Sequence, residues 1–231
     1  MWKPEHRLAA ERRGLRYPSD LTDAEWEQVE KAVPPAKRSG RPREVDLREV
    51  LNAIFYVLAT GWQRKALPKD PPPKSTAHAY FMLWEWDGTL ERMHHLLYVA
   101  VREHEGRAAN PTVAILDVQD RDGLREVLRQ ARPSFPFIER IFADAGYQGP
   151  KAAKAVADTG GWTLDIVKPS DAHRFVVPPK RWIVERSFAW ISRNRRLARD
   201  FERYARTVAA FVRLAMIRVM LRRLTRLTRS T

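Results

Sequence analysis

Apolar positions along the chain follow two different periods. In the N-terminal part they recur at helical spacing. The stretch "LTDAEWEQVEKAVPP" opens with Thr22 and, three residues on, Glu25, the pairing of a helix capping box. Trp26, Val29 and Val33 follow at helical spacing, and Pro34-Pro35 stop the run. After the basic linker "AKRSGRPRE", Leu47, Val50, Leu51, Ile54, Phe55 and Leu58 trace one helix face, with Asp46 placed as N-cap and Gly61 as terminator. The proline-rich "LPKDPPPKS" leads to a third predicted helix over 75–86, and Asp87-Gly88 turn the chain into a fourth over 89–105. Helix, tight turn, helix, flanked by Arg64, Lys65, Lys69 and Lys74, is the arrangement of a helix-turn-helix DNA reader. It is equally that of two helices that only pack together.

From Pro111 the period changes. "TVAIL" is a short strand ending at Asp117, and "RDGLREVLRQAR" reads as a helix. "IERIFA" is a second strand ending at Asp144, "GPKAAKAVADTG" a helix, and "WTLDIV" a third strand. Beyond the basic loop "KPSDAHRFVVPPKR" come two arginine-rich helices, "RWIVERSFAWISRNRRLARDFE" and "RTVAAFVRLAMIRVMLRRL". The fold class expected is α/β with an all-α N-terminal part, its small sheet mainly parallel and flanked by helices. The last stripe is basic and amphipathic, which also fits a membrane surface. Apolar residues on more than one of its faces favour attachment to a core or a dimer interface.

Charge narrows the partner. The 231 residues hold 42 Lys+Arg against 28 Asp+Glu, a net charge of +14 that suits a polyanion such as DNA. With no cysteine there is neither disulfide nor thiolate metal site. No apolar run reaches membrane-spanning length, so the expected location is cytoplasmic and nucleoid-associated, without a membrane partner. His94, His95 and His104 sit in a helical pattern without an evident ligand partner and read as structural.

The candidate chemistry lies in three acids. Functional crevices of parallel sheets open beyond the carboxyl ends of their strands, where Asp117 and Asp144 fall. Glu185 is a lone acid among basic neighbours in "RWIVERSFAW". Together they make an oxygen-rich set suited to Mg²⁺ or Mn²⁺, and two such ions can clamp the attacking and leaving oxygens of a phosphoryl transfer. The plainer alternatives are turn aspartates and an i−4 ion pair between Glu185 and Arg181.

At this point a resemblance enters. "YPSDLTDAEWEQVEKAVPP", "GRPREVDLREVLNAIFYVLATGWQRKALP", "FADAGYQG" and "RFVVPPKRWIVERSFAWISRNRRL" resemble the IS5-family insertion-sequence transposases with their IS402-like N-terminal domain. The resemblance implies a DDE enzyme with an RNase H-like core that uses two divalent metals to cut DNA at element ends and join the 3′-hydroxyl to a target. It implies Asp144 as second acid, Glu185 as the glutamate and Arg181 as the signature arginine, with Pro178 and Ser192 standing where the family has tyrosine and lysine. A segment between the first acid and "DVQDRDG" is missing, so Asp117 is either the first acid or the aspartate that precedes Val-Gln-Asp. The implied organisation is a tail over 1–16, a helical DNA-binding domain over 17–108 and a shortened catalytic domain over 109–231. The expected phosphate contacts are Arg41, Arg43, Arg64, Lys65, Lys74, Lys180, Arg181, Arg186, Arg193, Arg195 and Arg196, with a solvated basic face as the alternative for any one. Expected partners are element ends, target DNA and a second copy of the chain. The alternative function is a DNA-binding remnant, without chemistry, that represses transposition.

Overall fold

The computed structural model describes residues 12, 14–36, 42–61, 68, 72–116, 123–167, 181–199 and 201–227, with the backbone alone for a few of them, Asp144 included. In chain order the elements are α1 (Asp23–Glu30), α2 (Leu47–Thr60), α3 (Lys74–Trp86), α4 (Thr89–His104), β1 (Val113–Leu116), α5 (Leu124–Ser134), β2 (Arg140–Asp144), α6 (Pro150–Thr159), β3 (Thr163–Val167), α7 (Arg181–Ser192) and α8 (Ala205–Leu227). They divide into a helical unit, residues 1–107 with 189–231, and a sheet unit, residues 108–188.

The N-terminal helices form where local signals place them. Thr22 accepts the Glu25 N–H at 3.2 Å while the Glu25 carboxylate accepts the Thr22 N–H at 2.9 Å, a closed capping box. Asp46 caps α2 by accepting the Arg48 N–H at 2.8 Å. Gly61 ends it at φ 69°, a left-handed conformation that costs a residue without Cβ little. Between α3 and α4, Asp87 accepts the Thr89 N–H at 2.9 Å, which takes up one unpaired donor of the new helix.

The core of this unit draws on both ends of the chain. Val50, Leu51, Phe55 and Leu58 of α2 and Leu90, Met93 and Leu97 of α4 are buried together with Leu214, Ile217 and Leu221 of α8. Phe211 of α8 stacks on Phe81 of α3 with ring centroids 4.7 Å apart. The basic C-terminal helix, read from sequence as part of the catalytic region, thus packs inside the helical unit. Its apolar residues on several faces meet α1, α2 and α4.

The sheet unit is a three-stranded parallel sheet of order β1-β2-β3, paired Leu116↔Ala143 and Ala143↔Ile166. Alternation splits it into two faces. Ala114, Leu116, Ile141, Ala143, Leu164 and Ile166 pack with Leu124 and Leu128 of α5 and Val156 of α6. The other face carries Val113, Ile115, Arg140, Phe142 and Asp165, none of them fully buried. β2 begins at Arg140, two residues later than the apolar run that opens at Ile138.

One predicted helix is shorter than expected. The run over 181–202 stops being helical at Ser192. The Arg195 and Arg196 N–H groups instead donate to the carbonyls of Ala59 and Leu58, at 3.3 and 3.2 Å. Those carbonyls are among the last of α2, which the helix itself leaves without partners. A tertiary contact therefore overrides the helical pattern, and Gly61 lets the chains approach, since a Cβ there would lie 3.0 Å from the Arg195 Cβ.

The fold generates two predictions. Phe211→Ala removes the ring stacked on Phe81 and should cost about 3–5 kcal/mol, read as a lower urea midpoint. The second concerns Glu25, buried against Arg12 through two hydrogen bonds of 2.9 and 2.8 Å. Burial pushes its carboxyl up, but the Arg12 hydrogen bond and charge outweigh this and hold it below the usual 4.5. A carboxyl with a depressed folded pKa contributes stability above its unfolded value and loses it as pH falls through the folded one. Acidification below about 4.5 should therefore lower the urea midpoint of the native chain more steeply than that of Glu25→Gln.

Candidate active site

A parallel sheet delivers the last residue of each strand to one edge, and here the central strand β2 ends on Asp144. The backbone leaves the sheet at once, through the single 3₁₀ turn Ala145–Tyr147. Tyr147 is buried and anchors that turn in the sheet unit's core, and Gly149 follows at φ 134° before α6 starts with Pro150. The glycine takes the turn that a side chain would strain, so the chain departs directly behind the acid. β1 ends at Leu116, level with Ala143. Asp117 is the next residue in sequence and lies outside the described residues.

Glu185 lies on α7 and is exposed to solvent. Its helix also exposes large apolar side chains, Trp182 at 49 %, Ile183 at 38 % and Phe188 at 59 %. The guanidinium of Arg186 stands over the Trp182 ring, 5.5 Å from its centroid. The aromatic side chains read as an apolar helix face are thus present without being buried. Among the described residues no group of three His, Cys, Asp or Glu side chains is placed to hold a metal ion. Carboxylate oxygen is the donor type that hard cations prefer, and one such group stands on the last residue of the central strand.

The basic residues separate into different roles. Arg43 is exposed and donates to the Pro34 carbonyl at 3.0 Å, and Lys74 is exposed at the start of α3. Arg193 and Arg195 are exposed beyond α7. Arg196 differs from the phosphate contact expected of it. It is buried, its Nε donates to Glu202 at 2.6 Å, and its guanidinium packs over the Phe201 and Phe211 rings at 5.4 and 5.5 Å. Arg41, Arg64, Lys65, Lys180 and the Arg181 side chain lie outside the described residues. The outward positions of α4 include Glu91 and Glu103 beside Arg92, so this second helix of the helix-turn-helix candidate is not uniformly cationic.

Sequence reasoning missed the Arg196–Glu202 pair because its signal, an arginine followed six residues on by an acid, resembles any charged loop. The pair is tested against its neighbour. Breaking a buried ion pair strands the remaining charge, so Arg196→Ala should lower stability by about 3–5 kcal/mol. Arg193→Ala, on the surface, should stay within about 0.5 kcal/mol, both read from urea midpoints.

Residues 100–220, just over half the chain, match the family described as "Transposase DDE domain". Residues 21–94 match "Putative transposase of IS4/5 family". A protein of Burkholderia cepacia named "Putative transposase for insertion sequence element IS402" is 36% identical over 74 residues, 32% of this chain and 35% of that protein. The match therefore spans about a third of the length of that curated relative. No solved structure matches.

Proposed function

The chain belongs to the insertion-sequence transposases with a DDE domain, and from that premise we propose that it cleaves and transfers DNA strands in a metal-dependent reaction. The observation that carries the proposal is the position of Asp144, the last residue of the central strand of a parallel sheet. Asp117, Asp144 and Glu185 would hold two Mg²⁺ or Mn²⁺ ions. The chemistry such a pair supplies when bound is activation of the attacking oxygen and stabilisation of the leaving 3′-oxygen. The chain's own part is to keep three carboxylates together and DNA beside them. On this reading α7 carries Glu185 as the third carboxylate of the set. The exposed Arg186 and Arg193 then neutralise backbone phosphates, which makes binding fall steeply with salt.

A second reading has its own support. The helical unit holds a hydrophobic core separate from that of the sheet unit. It can bind element ends even where the short sheet does no chemistry, and the chain then acts as a repressor of transposition by intact copies. Nicking of supercoiled plasmid carrying the gene's flanking DNA, in Mn²⁺, separates the two. Under the enzyme reading the native chain nicks, and Asp144→Asn and Glu185→Gln each lose at least about a hundredfold in rate while binding DNA as before. Salt-sensitive binding with no nicking by the native chain would leave the repressor reading.

A further inference from the structure

The helical unit contains a cavity that none of the three acids lines. It has a volume of about 390 Å³ and opens between α2, the start of α3 and the segment that leads into α8. Small-molecule sites occupy about 300–1,000 Å³. Its walls are of two kinds. Ile54, Phe81 and Phe211 supply an apolar floor, in which the two phenyl rings are stacked. Lys74, Arg203 and Arg206 supply exposed cationic groups around it. The acid in the lining, Glu202, is already neutralised by Arg196. Just before α8, Phe201 and Tyr204 stand 50 % and 59 % exposed.

An apolar slot edged by cations and by exposed aromatic rings complements a ligand that joins a flat ring to an anion. Paired bases in a duplex are stacked out of reach, whereas an unpaired base offers its faces to aromatic side chains and its phosphate to cations. We propose that this cavity captures one unpaired nucleotide of a bound DNA strand. The base lies against the exposed rings of Phe201 and Tyr204, above the buried Phe81 and Phe211, and its phosphate meets Lys74 and Arg206. A strand held in this way is fixed in register by the helical unit, independently of the carboxylates. The inference rests on the DNA-binding reading given above.

The test uses the full chain and two DNAs that carry 2-aminopurine, one in a short single-stranded overhang and one at a paired position. Binding should change the emission of the unpaired probe and leave the paired one unaltered. Thr207→Trp, which fills the cavity from its α8 wall, should abolish the response and weaken overhang binding by about tenfold, with duplex affinity within about twofold of native. Should that variant fold poorly, Arg206→Gln alters a single exposed side chain outside the expected duplex contacts and should reproduce the selective loss. Equal losses for overhang and duplex DNA, or an unchanged response with the cavity filled, would overturn the proposal. So would competition by a free deoxynucleoside monophosphate as effective as that by the overhang strand. Native nicking and duplex binding without any unpaired-probe response defeats this inference alone, whereas failure to bind either DNA defeats it together with the proposed function.

Discussion

The helical unit depends on a hydrophobic contact between the two ends of the chain. α8 places Leu214, Ile217 and Leu221 against side chains of α2 and α4 that precede it by more than a hundred residues. Without α8 the apolar stripe of α4 would lose its most extensive packing partner. The sheet unit is consequently an insertion within the helical one. Loop-closure entropy grows only slowly with length, by about 0.6 kcal/mol for each doubling. A change in the length of the insertion therefore disturbs the helical core little. Contact between α2 and the segment after α7 adds to this closure, because the Arg195 and Arg196 N–H groups bond to carbonyls near the end of α2.

Charge is distributed on the same logic. The buried acids Glu25 and Asp20 of the helical unit are paired with Arg12 and Arg16, and the half-buried Glu202 with Arg196. Around Glu25 the cations outnumber the acid. Burial, with Arg222 and Arg12 nearby, pushes the Arg218 guanidinium down to about 9, although Glu25 opposes the shift. Burying that charge carries a cost, and it marks the α8 surface near α1 as crowded with positive charge. Several of the described cations, among them Arg186, Arg193, Arg195, Arg203 and Arg206, are exposed, where they can act on a polyanion.

Much of this was legible in the sequence where local chemistry decides the outcome. The capping box of Thr22 and Glu25, the Asp46 cap, the Gly61 terminator and the three parallel strands all rest on signals within a few residues. Asp144 at a strand tip was legible for the same reason. What escaped depends on partners far along the chain. Nothing local says that α7 stops at Ser192, since its terminator is the carbonyl end of α2. Arg196 reads as one more surface cation until Glu202 and the Phe201 and Phe211 rings are seen around it. The run from Arg206 to Leu224 announced a helix attached to a core or a dimer interface without saying which unit it completes. The cavity at Lys74 and Arg206 draws its walls from both ends of the chain, and no window of sequence contains it.

The central claim is that the acid ending β2 belongs to a divalent-cation site. Calorimetric titration of Mn²⁺ into the full chain tests it without requiring turnover. Saturable binding is expected, lost in Asp144→Asn while the urea midpoint of the helical unit is unchanged. An identical isotherm for the native chain and the variant, or no saturable binding by the native chain, would contradict it.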